Sequence, residues 1–271
     1  MLNSVNMLQM SSLQVVQLSD THLFSKPNKE LLGLATLDSF IAVLRSLHQL
    51  QPYPDLLLLT GDLSQDETQQ SYEYLRDLVE PFSIPTYWLP GNHDHYPLME
   101  QILNGGWLSA QKVFQQGGWN FILLNSMMPG QVYGELAVEA LVWLDQQLAH
   151  LPKHPTLIAL HHPPCPIGSH WMDRINLRNS SALFEVLDRY EQVKLVLFGH
   201  IHQEFDSTRR GVRYLGCPST CVQFKPNQND FAVDQQFPGF RTLTLYPNGQ
   251  FFTTIQRVRY EPLPNIDATG Y

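Results

Sequence analysis

Five short apolar runs in this chain each stop at residues that bind metals or move protons. Residues 14–18 (QVVQL) end at Asp20 and His22, and residues 55–59 (DLLLL) end at Gly61-Asp62. Residues 86–89 (TYWL) end at Gly91-Asn92-His93-Asp94-His95. Residues 156–160 (TLIAL) end at His161-His162, and residues 193–198 (VKLVLF) end at Gly199-His200-Ile201-His202. Runs this short and this continuously apolar read as strands covered on both faces. Helical spacing fills the gaps: residues 34–50 (Leu34, Leu37, Ile41, Leu44, Leu47), 68–80, a short piece at 97–104, and 135–149 (Leu136, Val138, Leu141, Leu144, Leu148). A helix over 180–190 takes Ser180 or Ser181 as its N-cap. Another apolar run, 119–124, follows Gly117-Gly118. Strand–helix alternation therefore covers about 14–202. Residues 203–258 read as short strands, with turns at Arg209-Arg210-Gly211 and Pro247-Asn248-Gly249. The tail after Pro262 reads as loose. This order predicts an α/β fold, one domain over 1–271, with two packed sheets and helices outside.

Composition narrows the partners. Hydrophobic residues are 43% and charged residues 15%, enough for a sizeable core. A net charge of −8 disfavours nucleic acid but leaves room for a small anionic substrate. Cys165, Cys217 and Cys221 are an odd count without regular spacing, so free thiols are expected. The start, MLNSVNMLQMSS, has no basic region or long apolar run, and no window reaches the about 18 apolar residues of a membrane span. The expectation is a cytoplasmic protein with no membrane partner.

Ligand sites in α/β sheets gather at the carboxyl ends of strands. Neighbouring strands would bring Asp20, His22, Asp62, Asn92, His93, His161, His200 and His202 to one edge. Imidazole, carboxylate and amide donors suit divalent first-row ions. One ion rarely takes so many protein ligands; two ions about 3.5–4 Å apart do, with a bridging carboxylate. A lone Asp-x-His is ordinarily a turn or cap. Five such blocks in this order outweigh that reading.

In their order these blocks match the calcineurin-like metallophosphoesterases, and the chain resembles that superfamily. The stretches SDTHLF, LLGL, TGDLSQD, WLPGNHD, INLRN, GHIHQE, PSTCVQFKP and PGFRTLTL are similar to its class III cyclic-nucleotide branch, the bacterial 3′,5′-cyclic-AMP phosphodiesterases. The resemblance implies a four-layer α/β/β/α sandwich with mixed sheets and a dinuclear site. It implies Asp20, His22, Asp62 and His202 on one ion, and Asp62, Asn92, His161 and His200 on the other. Asp62 would bridge, with a water or hydroxide that attacks 3′,5′-cyclic AMP to give 5′-AMP and end its signal. His93 would stabilise charge on the phosphate or protonate the leaving 3′-oxygen. The substrate would lie against His22, Asp62, Asn92, His93, His161 and His202. Iron(II) or manganese(II) is favoured, with cobalt or zinc possible, and the chain would be a monomer or homodimer.

Rough charge counting agrees with a diester: two ions and two carboxylates leave room for one hydroxide and a singly charged phosphodiester. Gly61-Asp62-Leu63-Ser64-Gln65 lacks the arginine of the phosphoprotein phosphatases and the tyrosine that purple acid phosphatases carry where Gln65 stands. A broader phosphodiesterase, acting on 2′,3′-cyclic nucleotides or glycerophosphodiesters, is the alternative. A silenced nucleotide sensor is disfavoured, because every ligand position holds a competent residue. Around the site, Asp94 is expected to accept an imidazole N–H, His162 to stand behind His161, and His95 to sit at the rim. His170 lies in a loop that could line the pocket, while His48, His150 and His154 read as solvated. Trp171 and Phe224-Lys225-Pro226 are candidates to stack on adenine, with core packing the equal alternative. Arg209-Arg210 reads as a solvated turn, and Cys217 and Cys221 as buried thiols.

Overall fold

The computed structural model describes residues 11–270, so most of the N-terminal stretch read above for a leader lies outside the described residues. In chain order the main elements are β1 (Leu13–Leu18), α1 (Thr36–His48), β2 (Leu56–Thr60), α2 (Gln69–Val79), β3 (Thr86–Leu89) and α3 (Tyr96–Ile102). Then come β4 (Leu108–Ser109), β5 (Val113–Gln116), β6 (Trp119–Leu123), α4 (Val138–His150), β7 (Thr156–Ala159), α5 (Ser180–Leu187) and β8 (Val193–Phe198). The last strands are β9 (Phe205–Arg209), β10 (Val212–Gly216), β11 (Gly239–Leu245) and β12 (Phe251–Arg257).

They form two six-stranded sheets, in the orders β12-β11-β1-β2-β3-β4 and β9-β10-β8-β7-β6-β5. Strands β1 to β4 are mutually parallel, as are β6, β7, β8 and β10. The remaining edges are antiparallel, so both sheets are mixed. The core has three layers. Leu13, Val15, Leu56, Leu58, Phe121, Leu157, Leu195 and Leu243 fill the space between the sheets. Val16, Leu18, Leu57 and Leu59 instead meet Phe40, Leu47, Tyr72 and Leu75 of α1 and α2. Ile158 and Val196 meet Leu144, Leu148 and Leu183 of α4 and α5. Strand side chains alternate between faces, so a leucine run covered on both faces is what a middle layer requires. The result is the four-layer α/β/β/α sandwich. Each fully buried Leu or Phe contributes about 1.5–3 kcal/mol. Phe40→Ala, in a helix position with no exposure, would cost about 3–5 kcal/mol.

Several details depart from the sequence reading. Helix α1 begins at Thr36, because Leu34-Ala35 pairs with Glu30-Leu31 across a turn at Leu32-Gly33. Strand β5 was not anticipated; it returns through Gly117 and Gly118, whose φ of 57° and 79° suit a tight hairpin. Helix α5 is preceded by Asn179, not capped by a serine. The Asn179 amide instead clasps Leu136, accepting its N–H at 3.0 Å and donating to its carbonyl at 2.7 Å. Arg209 is no solvated turn: it forks onto Asp188 at 2.5 and 2.9 Å and lies 4.1 Å from the Phe184 ring centre. The tail is partly docked, since Pro264 is buried and the Asn265 N–H donates to the Leu32 carbonyl at 2.7 Å. All three cysteines are free thiols, two of them buried. No helix among the described residues is long and apolar enough to cross a membrane.

Candidate metal centre

The parallel strands point their carboxyl ends to one edge of each sheet, and the two edges meet. Across the first sheet, Asp20 N–H donates to the Gly61 carbonyl and His22 N–H to the Asp62 carbonyl, both at 3.0 Å. Gly199 N–H donates to the His161 carbonyl at 3.1 Å. The His161 Nδ1 crosses between sheets and donates to the Thr60 carbonyl at 2.8 Å. Two glycines are required here. A side chain on Gly91 would collide with the Asp62 carboxylate, and one on Gly61 would meet the His161 ring at 2.5 Å.

Asp20, His22, Asp62, His200 and His202 all have left-handed backbone, with φ of 54°, 45°, 51°, 70° and 48°. L-residues avoid that region at about 1 kcal/mol each. The strain lets a loop turn its side chain inward directly after the strand ends.

Six side chains named from the sequence, Asp20, His22, Asp62, His161, His200 and His202, fall in overlapping clusters. Ligand atoms of Asp20, His22 and His202 lie within 4.8 Å of one another, as do those of Asp20, Asp62 and His161. The His22 and His202 Nε2 atoms are 3.0 Å apart. His202 Nδ1 donates to the Val222 carbonyl at 2.8 Å, and Phe224 stacks on its ring at 4.2 Å. Asp20 accepts the His200 N–H at 3.0 Å. On the other side, Asp62 Oδ2 stands 3.2 Å from His161 Nε2 without hydrogen-bond geometry. Asp62 Oδ2, Asn92 Oδ1, His161 Nε2 and both nitrogens of His200 are buried without a hydrogen-bond partner. Buried polar atoms are nearly always partnered. This set of oxygen and imidazole donors is what divalent cations would complete.

Electrostatics separate the two sides. Burial holds His22 down to about 3 against the pull of Asp62. Burial also opposes charge on His161, but the Asp62 carboxylate beside it raises that imidazole to about 9. Asp62 resists ionisation by being buried, yet the His161 imidazole beside it holds it well below the usual carboxylate range.

His93 is half-buried at the mouth, its ring edge-on to His22 at 5.2 Å. Its backbone N–H donates to Asp62 Oδ1 at 2.8 Å. Asp94 does not accept from an imidazole, contrary to expectation. It accepts the N–H groups of Leu63, Ser64 and Gly91 at 3.0, 3.0 and 2.9 Å, and the Tyr72 hydroxyl at 3.1 Å. It thereby fastens the Gly61-Asp62 loop to the Gly91-Asn92 loop. His162 lies behind His200, ring centres 4.7 Å apart, with Nδ1 2.9 Å from Ser126 Oγ. His95 is exposed and accepts the Leu98 N–H, capping α3. His170 is exposed and contacts Arg174. His48, His150 and His154 are exposed as expected. Trp171 packs on Phe224 and Phe231 at 5.3 and 5.2 Å, which favours the core reading of both candidates. Sequence reasoning missed Tyr72 and Ser126, which touch site residues only through the fold, and the contacts of Gln65. That side chain lies 2.5 Å from His22 Nδ1 and 3.4 Å from His93 Nδ1.

A family model described as calcineurin-like phosphoesterase matches residues 13–204. The chain belongs to this family. Among its relatives, this phosphoesterase is 53% identical over 248 residues to a protein named 3′,5′-cyclic-nucleotide phosphodiesterase from Nostoc sp., covering 92% of this chain and 93% of that one. It is 41% identical over 262 residues to the 3′,5′-cyclic adenosine monophosphate phosphodiesterase CpdA of Escherichia coli K12, covering 95% and 94%. The fold also matches a dimetal phosphatase from Danio rerio, at a TM-score of 0.65 and 14% identity, over 89% of this phosphoesterase and 98% of that chain.

Proposed function

We propose that this phosphoesterase hydrolyses 3′,5′-cyclic AMP to 5′-AMP and so ends the cyclic-nucleotide signal. The observation that carries the reading is the set of orphaned donors arranged around one shared carboxylate, Asp62. Asp20, His22, Asp62 and His202 would hold one divalent ion, and Asp62, Asn92, His161 and His200 the other, with iron(II) or manganese(II) favoured over cobalt or zinc. When bound, such ions supply Lewis-acid stabilisation and make water a nucleophile at neutral pH. The protein's own part is orientation. Thr60 and Val222 carbonyls fix the His161 and His202 rings through Nδ1, which turns each Nε2 inward. Asp94 holds the Asp62 and Asn92 loops in register. The phosphate would lie against His22, Asp62, Asn92, His93, His161 and His202, with His93 at the open side to meet charge on its oxygens. The names of the Nostoc and Escherichia coli relatives support the cyclic-nucleotide substrate. Strands β11 and β1 pair along their length, which supports one domain spanning both halves of the chain.

The test is 5′-AMP release from 3′,5′-cyclic AMP by metal-stripped protein titrated with manganese(II) or iron(II), with 2′,3′-cyclic AMP alongside. Metal-dependent turnover favouring the 3′,5′ isomer is expected. Turnover of the 2′,3′ isomer alone would keep the chemistry and sink the cyclic-AMP assignment.

A further inference from the structure

Gln65 touches two histidines with different duties. Its backbone is fixed where its N–H donates to the Leu23 carbonyl at 2.8 Å. Its side-chain oxygen lies 2.5 Å from His22 Nδ1, and its side-chain nitrogen 3.4 Å from His93 Nδ1. An amide oxygen only accepts and an amide nitrogen only donates. Which end faces which ring follows from His22. The His22 Nε2 points at His202 Nε2 (3.0 Å) and towards Asp62 Oδ2 (3.9 Å), where a cation would take its lone pair. That requires the His22 proton on Nδ1, which in turn needs the amide oxygen as acceptor. The amide nitrogen is then left to donate to His93 Nδ1. A ring nitrogen that accepts there carries no proton, so the His93 proton sits on Nε2.

We propose that Gln65 is a positioning residue that sets the tautomer of His93, so that His93 presents Nε2–H to the phosphate oxygens as a hydrogen-bond donor. In that form the ring offers its Nε2–H to charge that builds on the phosphate oxygens. A carboxylate at position 65 would do the opposite, accepting from Nδ1–H and leaving Nε2 bare. Gln65 also ties the tautomer of a metal-holding imidazole to that of the substrate-facing one, through one rigid amide. The choice of substrate rests on the phosphodiesterase reading above; the tautomer does not.

The experiment combines a spectrum with a cycle. Nitrogen-15 NMR of the histidine rings in the zinc-loaded protein, with His93→Ala to assign the signal, reads the tautomer directly. A protonated Nε2 and bare Nδ1 are expected, and the proton should move to Nδ1 in Gln65→Glu. Metal content, measured per chain, should be unchanged in that variant. Turnover of bis(p-nitrophenyl) phosphate should fall about 10- to 100-fold in Gln65→Glu and in His93→Ala, and no further in the double variant, because both remove one interaction. A His93 ring protonated at Nδ1 in the unaltered protein overturns the proposal. So do losses that multiply in the double variant, or a drop in metal content with the His93 tautomer unchanged, which would make Gln65 a prop for His22 alone. If the unaltered protein hydrolyses no phosphodiester, the functional reading fails while the NMR result still decides the tautomer.

Discussion

The two sides of the site solve the same problem differently. On the first side each group has a partner behind it: His202 Nδ1 donates to the Val222 carbonyl, His22 Nδ1 faces the Gln65 amide oxygen, and Asp20 accepts the His200 N–H. Asp62 Oδ2, Asn92 Oδ1, His161 Nε2 and both ring nitrogens of His200 are buried without a hydrogen-bond partner, Asp62 and His161 facing each other at 3.2 Å. One side is assembled by the protein; the other is a set of donors waiting on a ligand. Proton occupancy follows the same split, with His22 held near 3 and His161 raised to about 9. On the two-ion reading proposed above, an ion on the first side would enter without displacing a proton, and one on the second would compete with a proton on His161.

Four results would break or sharpen this contrast. Asp62→Ala removes the carboxylate proposed to serve both ions, so cyclic-nucleotide turnover should fall by at least about a thousandfold, and atomic emission should find less than one ion per chain. His161→Ala touches only the second side: about one ion should remain, with turnover down about a hundredfold. Equal loss of both ions would show the sides to be interdependent. The third result is the pH dependence of ion uptake, followed by calorimetry on metal-stripped protein. His161 is raised above its ordinary value of about 6.5, so it keeps its proton up to pH about 9. Affinity for the second ion should therefore rise about tenfold per pH unit and level off above about 9, while the first stays flat. The sign for folding is opposite: in the metal-free chain this group's stabilisation is complete below about 6.5 and lost as pH rises through 9. Parallel slopes for both ions would remove the contrast. Smallest of all, Arg209→Ala lies on the far hairpin, held to Asp188 and Phe184. It should cost about 1 kcal/mol in denaturant melts and change turnover less than twofold.

The strands and their endings were legible because burial on both faces leaves a continuous apolar run, and because ligand chemistry restricts residue type. Hence Asp20, His22, Asp62, Asn92, His161, His200 and His202 could be named; all but Asn92 fall in overlapping clusters, and the Asn92 oxygen is buried without a partner. What escaped was held by contacts between distant positions. Asp94 looks like a helper of its neighbour His93, yet its partners Leu63 and Ser64 are about thirty residues earlier. Ser180 and Ser181 look like caps, but the helix starts after Asn179, whose amide is spent on Leu136. Strand β5 escaped for another reason: it is an edge strand, partly exposed and rich in glutamine, with little apolar signal.

The left-handed backbone at five site residues limits how far this site can be relaxed. At about 1 kcal/mol each, the five together approach the low end of a domain's whole net stability of about 5–15 kcal/mol. Glycine would relax each turn, but only by giving up what the side chain does there, such as the N–H groups that Asp20 and Asp62 accept. The loops therefore carry their strain in the same residues that build the site, and loosening one undoes the other.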